Sequence, residues 1–167
     1  MSAASHGRVA LLLSIVAGAC ESVHSPSSPL VVPSFAGRWA GTYTITSCDT
    51  NIGGPICSSQ FKGNPGPYSM TLTLTQTGAS VSGTLVLFPC TITIPVPCGG
   101  IALTVSGGVD KLGQLALIGS GGIDTRLTDW RTRLADDGLR GTFTTVVDGG
   151  QLVKTETGEV LGLTRDF

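Results

Sequence analysis

The chain has 167 residues, of which 13% are charged and 5% aromatic, and it contains 24 glycines. This length is sufficient for one domain with a hydrophobic core. Few charges and many glycines favour an all-β domain over a helical one. The formal net charge of −1 provides no electrostatic basis for binding nucleic acid.

The N-terminus has the pattern of an export signal. Arg8 precedes the apolar run VALLLSIVA, which is too short to span a bilayer. The small residues at 17–19 satisfy the rule for signal-peptide cleavage. Residues 1–19 are therefore predicted to be a signal peptide, and cleavage makes Cys20 the new N-terminus.

The segment AGAC, which ends at Cys20, resembles a bacterial lipobox. The resemblance implies a lipidated Cys20 and an exported protein anchored in the outer membrane or elsewhere in the cell envelope. The alternative is a periplasmic or secreted protein cut at the same bond. Residues 20–35 would form the lipidated cysteine and a Ser- and Pro-rich tether, and residues 36–167 the folded domain.

The five cysteines are an odd number for an exported protein, and lipidation of Cys20 accounts for the extra one. The other four allow three disulfide connectivities. We favour the two local ones, Cys48–Cys57 and Cys90–Cys98, each of which would contribute about 2–3 kcal/mol. A zinc site made of the same four residues is the alternative, which their spacing on separate loops of an exported protein disfavours.

From residue 37 onward the hydrophobic period is two, which predicts strands. The predicted strands cover residues 37–48, 68–77, 80–88, 101–109, 113–119, 123–135, 139–147 and 151–165. An eight-stranded meander of successive hairpins with one apolar face is expected to close into an antiparallel up-and-down β-barrel. A two-sheet β-sandwich is the alternative.

Turn positions predict the pairing of the strands. A turn at Gly78–Ala79 makes every apolar residue of its hairpin share one face, with Leu74 opposite Gly83, Leu72 opposite Leu85 and Met70 opposite Leu87. A turn at Asp137–Gly138 predicts Leu134 opposite Gly141, Thr132 opposite Phe143 and Trp130 opposite Thr145. In the last strand, odd-numbered residues are expected to face inward, namely Val153, Leu161 and Leu163.

The order of the strands gives the barrel two different ends. One end would carry the cysteine pairs and the Pro-rich loops at 52–66 and 89–99, and the other only tight turns and the chain termini. Because binding sites concentrate on loops held by a rigid scaffold, we expect function at the first end.

Gly37, Trp39, Gly41 and Tyr43 head the first strand, and this pattern resembles the G-x-W start of lipocalins and related eight-stranded calycin barrels. The resemblance implies that Trp39 plugs the closed end of the barrel and stacks with an arginine near the last strand. Arg165 is the candidate for that stack.

The residues offer little chemistry for catalysis. The only histidine after the predicted cleavage point is His24, in the tether, so Ser-His and Cys-His pairs and His-rich metal sites are excluded. We expect no enzyme activity, no metal and no cofactor. Acids such as Asp110 and Asp136 are typical turn residues.

Two functional hypotheses remain. The first is a monomeric, lipid-anchored barrel that binds a small apolar ligand, lined by Tyr43, Arg126, Trp130 and Phe143, provided that no bulge turns Arg126 and its neighbours Asp124 and Thr128 outward. A void of roughly 300 Å³ or more would favour it. The second is an interaction or inhibitor protein of the cell envelope that acts through its loops.

Overall fold

The computed structural model describes residues 32–52, 66–89, 99–122, 124–136 and 138–166. Its eight strands form one closed antiparallel barrel in chain order, which confirms the predicted up-and-down barrel. Among these residues no helix is long and apolar enough to cross a membrane. The strands are β1 (Gly37–Thr50), β2 (Tyr68–Thr77), β3 (Ser80–Phe88), β4 (Ile101–Val109), β5 (Gln114–Gly121), β6 (Thr125–Ala135), β7 (Gly138–Asp148) and β8 (Val153–Asp166).

Closure depends on β8, which pairs with β1 along almost its whole length, from Arg38 opposite Asp166 to Thr50 opposite Lys154. This pairing leaves neither terminal strand with an open edge. The end that carries the connections after β1, β3, β5 and β7 is called the loop end below. The opposite end, with residues 32–36, the end of β8 and the turns after β2, β4 and β6, is called the plain end.

Alternation along the strands fills the interior. On β2, Met70, Leu72 and Leu74 are buried, and the alternating residues Thr73 and Thr75 are exposed. The predicted β2–β3 register is confirmed at Leu72 opposite Leu85 and at its neighbours. Each such leucine gains about 1.5–3 kcal/mol from burial, so the inward rows drive closure.

The β6–β7 turn lies one residue earlier than predicted. Leu134 lies opposite Leu139 and not Gly141, and Trp130 lies opposite Phe143 and not Thr145. Gly138 pairs with Ala135 and is already in β7, with a φ of 134°. A Cβ there would lie 2.3 Å from the carbonyl oxygen of Leu163, so only glycine fits. Because the partner shifts by two residues, each side chain keeps its face.

A bulge in β8 reverses the face of half the strand. Tyr43 pairs with Val160 and Thr42 with Gly162, so Leu161 has no opposite residue. Between the loop end and the bulge, the even-numbered residues of β8 face inward. Between the bulge and the plain end, Leu163 faces inward. The prediction that Val153 and Leu161 face the interior is therefore wrong, and the one for Leu163 is right.

A second bulge lies in β6. Leu127 pairs with Thr145 and Asp129 with Thr144, so Thr128 is the extra residue. Trp130 and Thr132 are buried on one side of this point, and Leu127 and Thr125 on the other. Every residue of β6 before the bulge therefore has the opposite orientation to the one that strict alternation predicts.

The plain end is closed by a plug that begins before β1. Phe35 is fully buried, although the sequence prediction assigned it to the tether. The Trp39 Nε1–H donates to the Phe35 carbonyl oxygen at 2.8 Å, and the Phe35 amide donates to Gln76 Oε1 at 2.6 Å. Gln76 Nε2 in turn donates to the Pro33 carbonyl oxygen. Phe35 belongs to the barrel because the side chains of β1 alone do not fill the interior between Trp39 and the plain end.

The structure also brings Trp39 and Arg165 together. The guanidinium carbon of Arg165 lies 4.8 Å from the centroid of the Trp39 ring, within cation–π range. Arg165 Nη2 donates to the Ser34 carbonyl oxygen at 2.8 Å. This contact joins the end of β8 to the residues that precede β1.

We expect Phe35→Ala to lower the free energy of unfolding by about 3–5 kcal/mol, the usual cost of removing a buried phenyl ring. Val32→Ala is the matched control, because Val32 is 39% exposed and such sites change stability by only about 0.5 kcal/mol. Urea denaturation followed by tryptophan fluorescence measures both variants. Equal stabilities would show that residues before β1 do not belong to the folding unit.

Candidate functional site

A cavity of about 210 Å³ lies inside the loop end of the barrel. It is bounded by side chains from seven of the eight strands and by the residue after β3, so no single hairpin makes it. The lining residues are Tyr43, Ile45, Cys48, Tyr68, Leu87, Pro89, Ile101, Thr125, Phe143, Thr145, Val147, Lys154 and Glu156. Aliphatic and aromatic groups predominate, and the polar groups are few.

Aromatic rings form one region of the wall. The Tyr43 ring centroid lies 5.3 Å from that of Tyr68 and 5.4 Å from that of Phe143, the latter pair in an edge-to-face arrangement. Phe143 has room because it packs on Gly158, where a Cβ would lie 2.4 Å from its Cζ. Three ring systems from β1, β2 and β7 therefore meet at this wall.

Trp130 was predicted to line the site but lies in the core beside it. Its ring centroid is 6.0 Å from that of Phe143, it is fully buried, and it is not among the lining residues. Its indole N–H donates to Thr132 Oγ1 at 2.9 Å. Trp130 thus packs against Phe143 without lining the cavity.

The prediction that Arg126 lines the interior is wrong. The bulge at Thr128 turns Arg126 to the outer face, where 62% of its side chain is exposed and it lies 3.9 Å from Asp148 Oδ2. Thr128 and Asp124 are exposed as well. An exposed pair of this kind contributes little to stability.

The charges inside the cavity come from β8 instead. Lys154 Nζ lies 3.0 Å from Glu156 Oε1, and only 17% and 20% of the two side chains are exposed. They are two residues apart, so both face the interior. Sequence reasoning missed them because strict alternation from Leu163 points them outward. The signal that could have found them is Gly162, since a glycine inside a strand often marks a bulge.

Two phenols lie close to this ion pair. Burial raises the pKa of Tyr43 well above its usual value, and the carboxylate of Glu156 and the Tyr68 hydroxyl raise it further. Burial, followed by Glu156, also raises the pKa of Tyr68. Both hydroxyls therefore stay neutral and able to donate hydrogen bonds across the physiological range.

The predicted lipid and disulfide chemistry lies mostly outside the described residues. Cys48 lines the cavity near the end of β1. Cys57, Cys90 and Cys98 are outside the described part, as is Cys20. The pairs Cys48–Cys57 and Cys90–Cys98 and the lipidation of Cys20 stay predictions. Within the described ranges, no cluster of three or more His, Cys, Asp or Glu residues could hold a metal ion.

Comparisons with known proteins add no assignment to this geometry. No protein-family model, curated protein or solved structure matches the chain. The site is therefore interpreted from its own residues: an enclosed apolar wall, one carboxylate, one ammonium group and two neutral phenols.

The phenols permit a direct test of the cavity, because Tyr43 and Tyr68 are the only two tyrosines of the chain. Unfolded chains titrate their phenols near pH 10, below the pKa of either folded phenol. We therefore expect stability to fall as the pH rises above about 10, since the unfolded state then loses protons that the folded state keeps.

Ultraviolet absorbance of phenolate, measured alongside unfolding by urea, checks this. Tyr43→Phe should weaken the alkaline loss of stability, and Glu156→Gln should shift the phenolate signal of the folded protein to lower pH. Phenolate that forms near pH 10 in the folded wild type would contradict the burial of both rings.

Proposed function

We propose that this protein is an exported, lipid-anchored, lipocalin-like barrel that holds a small, largely apolar molecule in the cavity at its loop end. The observation that carries the proposal is the cavity itself, about 210 Å³ with a wall of mainly apolar groups. Cavities with apolar walls and a few convergent polar groups are the usual form of small-molecule sites.

The size of the cavity limits the ligand. It is smaller than the roughly 300–1,000 Å³ typical of sites that enclose drug-sized molecules. It is therefore also smaller than the void that the sequence analysis required as support for ligand binding. The proposed ligand is therefore a compact molecule, or one end of a longer molecule whose remainder extends out of the loop end of the barrel.

The placement of the chain supports an anchored protein. Residues 32–36 lie at the plain end, where Phe35 and Ser34 contact Trp39 and Arg165. A tether over residues 20–31 could reach about 40 Å when extended. A lipid on Cys20 would then hold the plain end near the membrane, and the cavity would open away from it.

We expect Val147→Trp to abolish binding and Val146→Trp to leave it intact. Val147 lines the cavity, whereas Val146 lies on the other face opposite Arg126, so the adjacent valines form a matched pair. Native mass spectrometry of the mildly purified full-length protein should find a bound molecule in the wild type and in Val146→Trp only.

Spectra without a bound molecule in all three proteins would contradict a ligand-binding function. Capture of an envelope protein that depends on residues 53–65 or 90–98 would then support the second hypothesis, an interaction or inhibitor protein. Both segments lie outside the described residues, so this alternative rests on the sequence.

The anchor has its own test. We expect the intact mass of the mature protein to correspond to a chain that begins at Cys20 and carries acyl groups, and Cys20→Ser to move the protein from the membrane fraction to the soluble fraction. His24→Ala in the tether is the control and should stay with the membrane. A mature chain that begins at Cys20 without added mass would instead indicate a periplasmic or secreted protein.

A further inference from the structure

We infer that the cavity selects a small organic cation, such as an alkylammonium group with a compact apolar body, and uses Glu156 as its counter-ion. This inference rests on the proposed ligand-binding function and specifies the ligand class. It is carried by the position of the Lys154–Glu156 pair relative to the mouth and to the aromatic wall.

The two residues lie at different positions along β8. β8 runs from the loop end inward, so Glu156 lies two residues, or about 6.6 Å, farther along the strand than Lys154. Lys154 pairs with Val147 and with Thr50, the last residue of β1, whereas Glu156 pairs with Cys48 and the buried Thr145. The backbone of Lys154 is therefore nearer the rim than that of Glu156, while the two charged groups lie 3.0 Å apart and are similarly buried.

The point at which each side chain is attached decides which charge a ligand can replace. A bound anion would have to take the place of Glu156 beside Lys154 and leave a carboxylate unpaired in the interior, which is costly. A bound cation would take the place of Lys154, whose long stem lets its ammonium group move into water at the rim. The pair therefore opens more easily for a cation.

The aromatic wall favours the same sign. Tyr43, Tyr68 and Phe143 border the same cavity as Glu156, and the faces of aromatic rings attract cations within about 6 Å. The raised pKa of both phenols, to which Glu156 contributes, is consistent with a carboxylate close to these rings. A cation there would be paired by Glu156 and enclosed by rings.

The electrostatic field at the loop end also attracts cations. Within the described part of the loop end, four carboxylates stand against two basic groups: Asp49, Asp124, Asp148 and Glu156 against Arg126 and Lys154. The excess of negative charge would raise the local concentration of cations.

Three probes of nearly the same shape test the sign of the ligand. Choline is the cation, 3,3-dimethylbutan-1-ol is its neutral analogue and 3,3-dimethylbutanoate is an anion. We expect calorimetric titration of the full-length protein to give choline at least a tenfold lower Kd than the alcohol, and the anion the weakest binding.

Variants of both charges complete the test. Glu156→Gln should reduce choline binding to the level of the alcohol, while its control, Glu159→Gln on the outer face of the same strand, should not. Lys154→Met should strengthen choline binding, because it removes the competing ammonium group. This second variant keeps the test decisive if Glu156→Gln folds poorly.

The outcomes separate this inference from the proposed function. Equal binding of choline and the alcohol to the wild type, with both lost in Val147→Trp, would overturn the cation site and leave the cavity as an apolar site. Tightest binding of the anion, abolished in Lys154→Met, would reverse the sign of the ligand. Failure of every probe, together with native spectra that show no bound molecule, would overturn both proposals.

Discussion

The pairing of β8 with β1 is the constraint on which the rest of the molecule depends. An open eight-stranded meander would expose two strand edges and one apolar face to water. Closure satisfies both edges and turns that face into an interior that contains Leu72, Leu85, Leu117 and Phe143, none more than 2% exposed. Closure also gives the two ends of the barrel their different interiors, because it determines which side chains contact one another across the lumen.

Two bulges decide the chemistry of that lumen. The extra residue at Thr128 turns Arg126 outward, and the extra residue at Leu161 turns Lys154 and Glu156 inward. Without them the interior of the loop end would carry a lone arginine near Asp124. With them it carries an adjacent ion pair of no net charge. A one-residue insertion in a strand thus changes a candidate site completely, while the barrel itself is unaffected.

The two ends of the barrel differ in how completely their interiors are filled. At the plain end Phe35 and Trp39 fill the interior. Trp39 and Arg165 donate hydrogen bonds to the carbonyl oxygens of Phe35 and Ser34, in the chain before β1. At the loop end the interior is left partly unfilled around Tyr43 and Phe143. A barrel of eight strands is wide enough for either arrangement, so the size of the side chains at each level decides which end is solid and which is hollow.

The class of fold, the strands to within a few residues and the register of β2 with β3 can all be predicted from the sequence, since period-two alternation and glycine turns are local signals. It also indicated that Trp39 and Arg165 could meet, and that Tyr43 and Phe143 face inward. Three features depend on contacts between distant parts of the chain: Phe35 belongs to the core, Trp130 packs beside the cavity without lining it, and Lys154 and Glu156 replace Arg126 inside it. The reason is physical: a bulge is visible only when both neighbouring strands are in place, because it is defined by a residue that has no partner across the ladder.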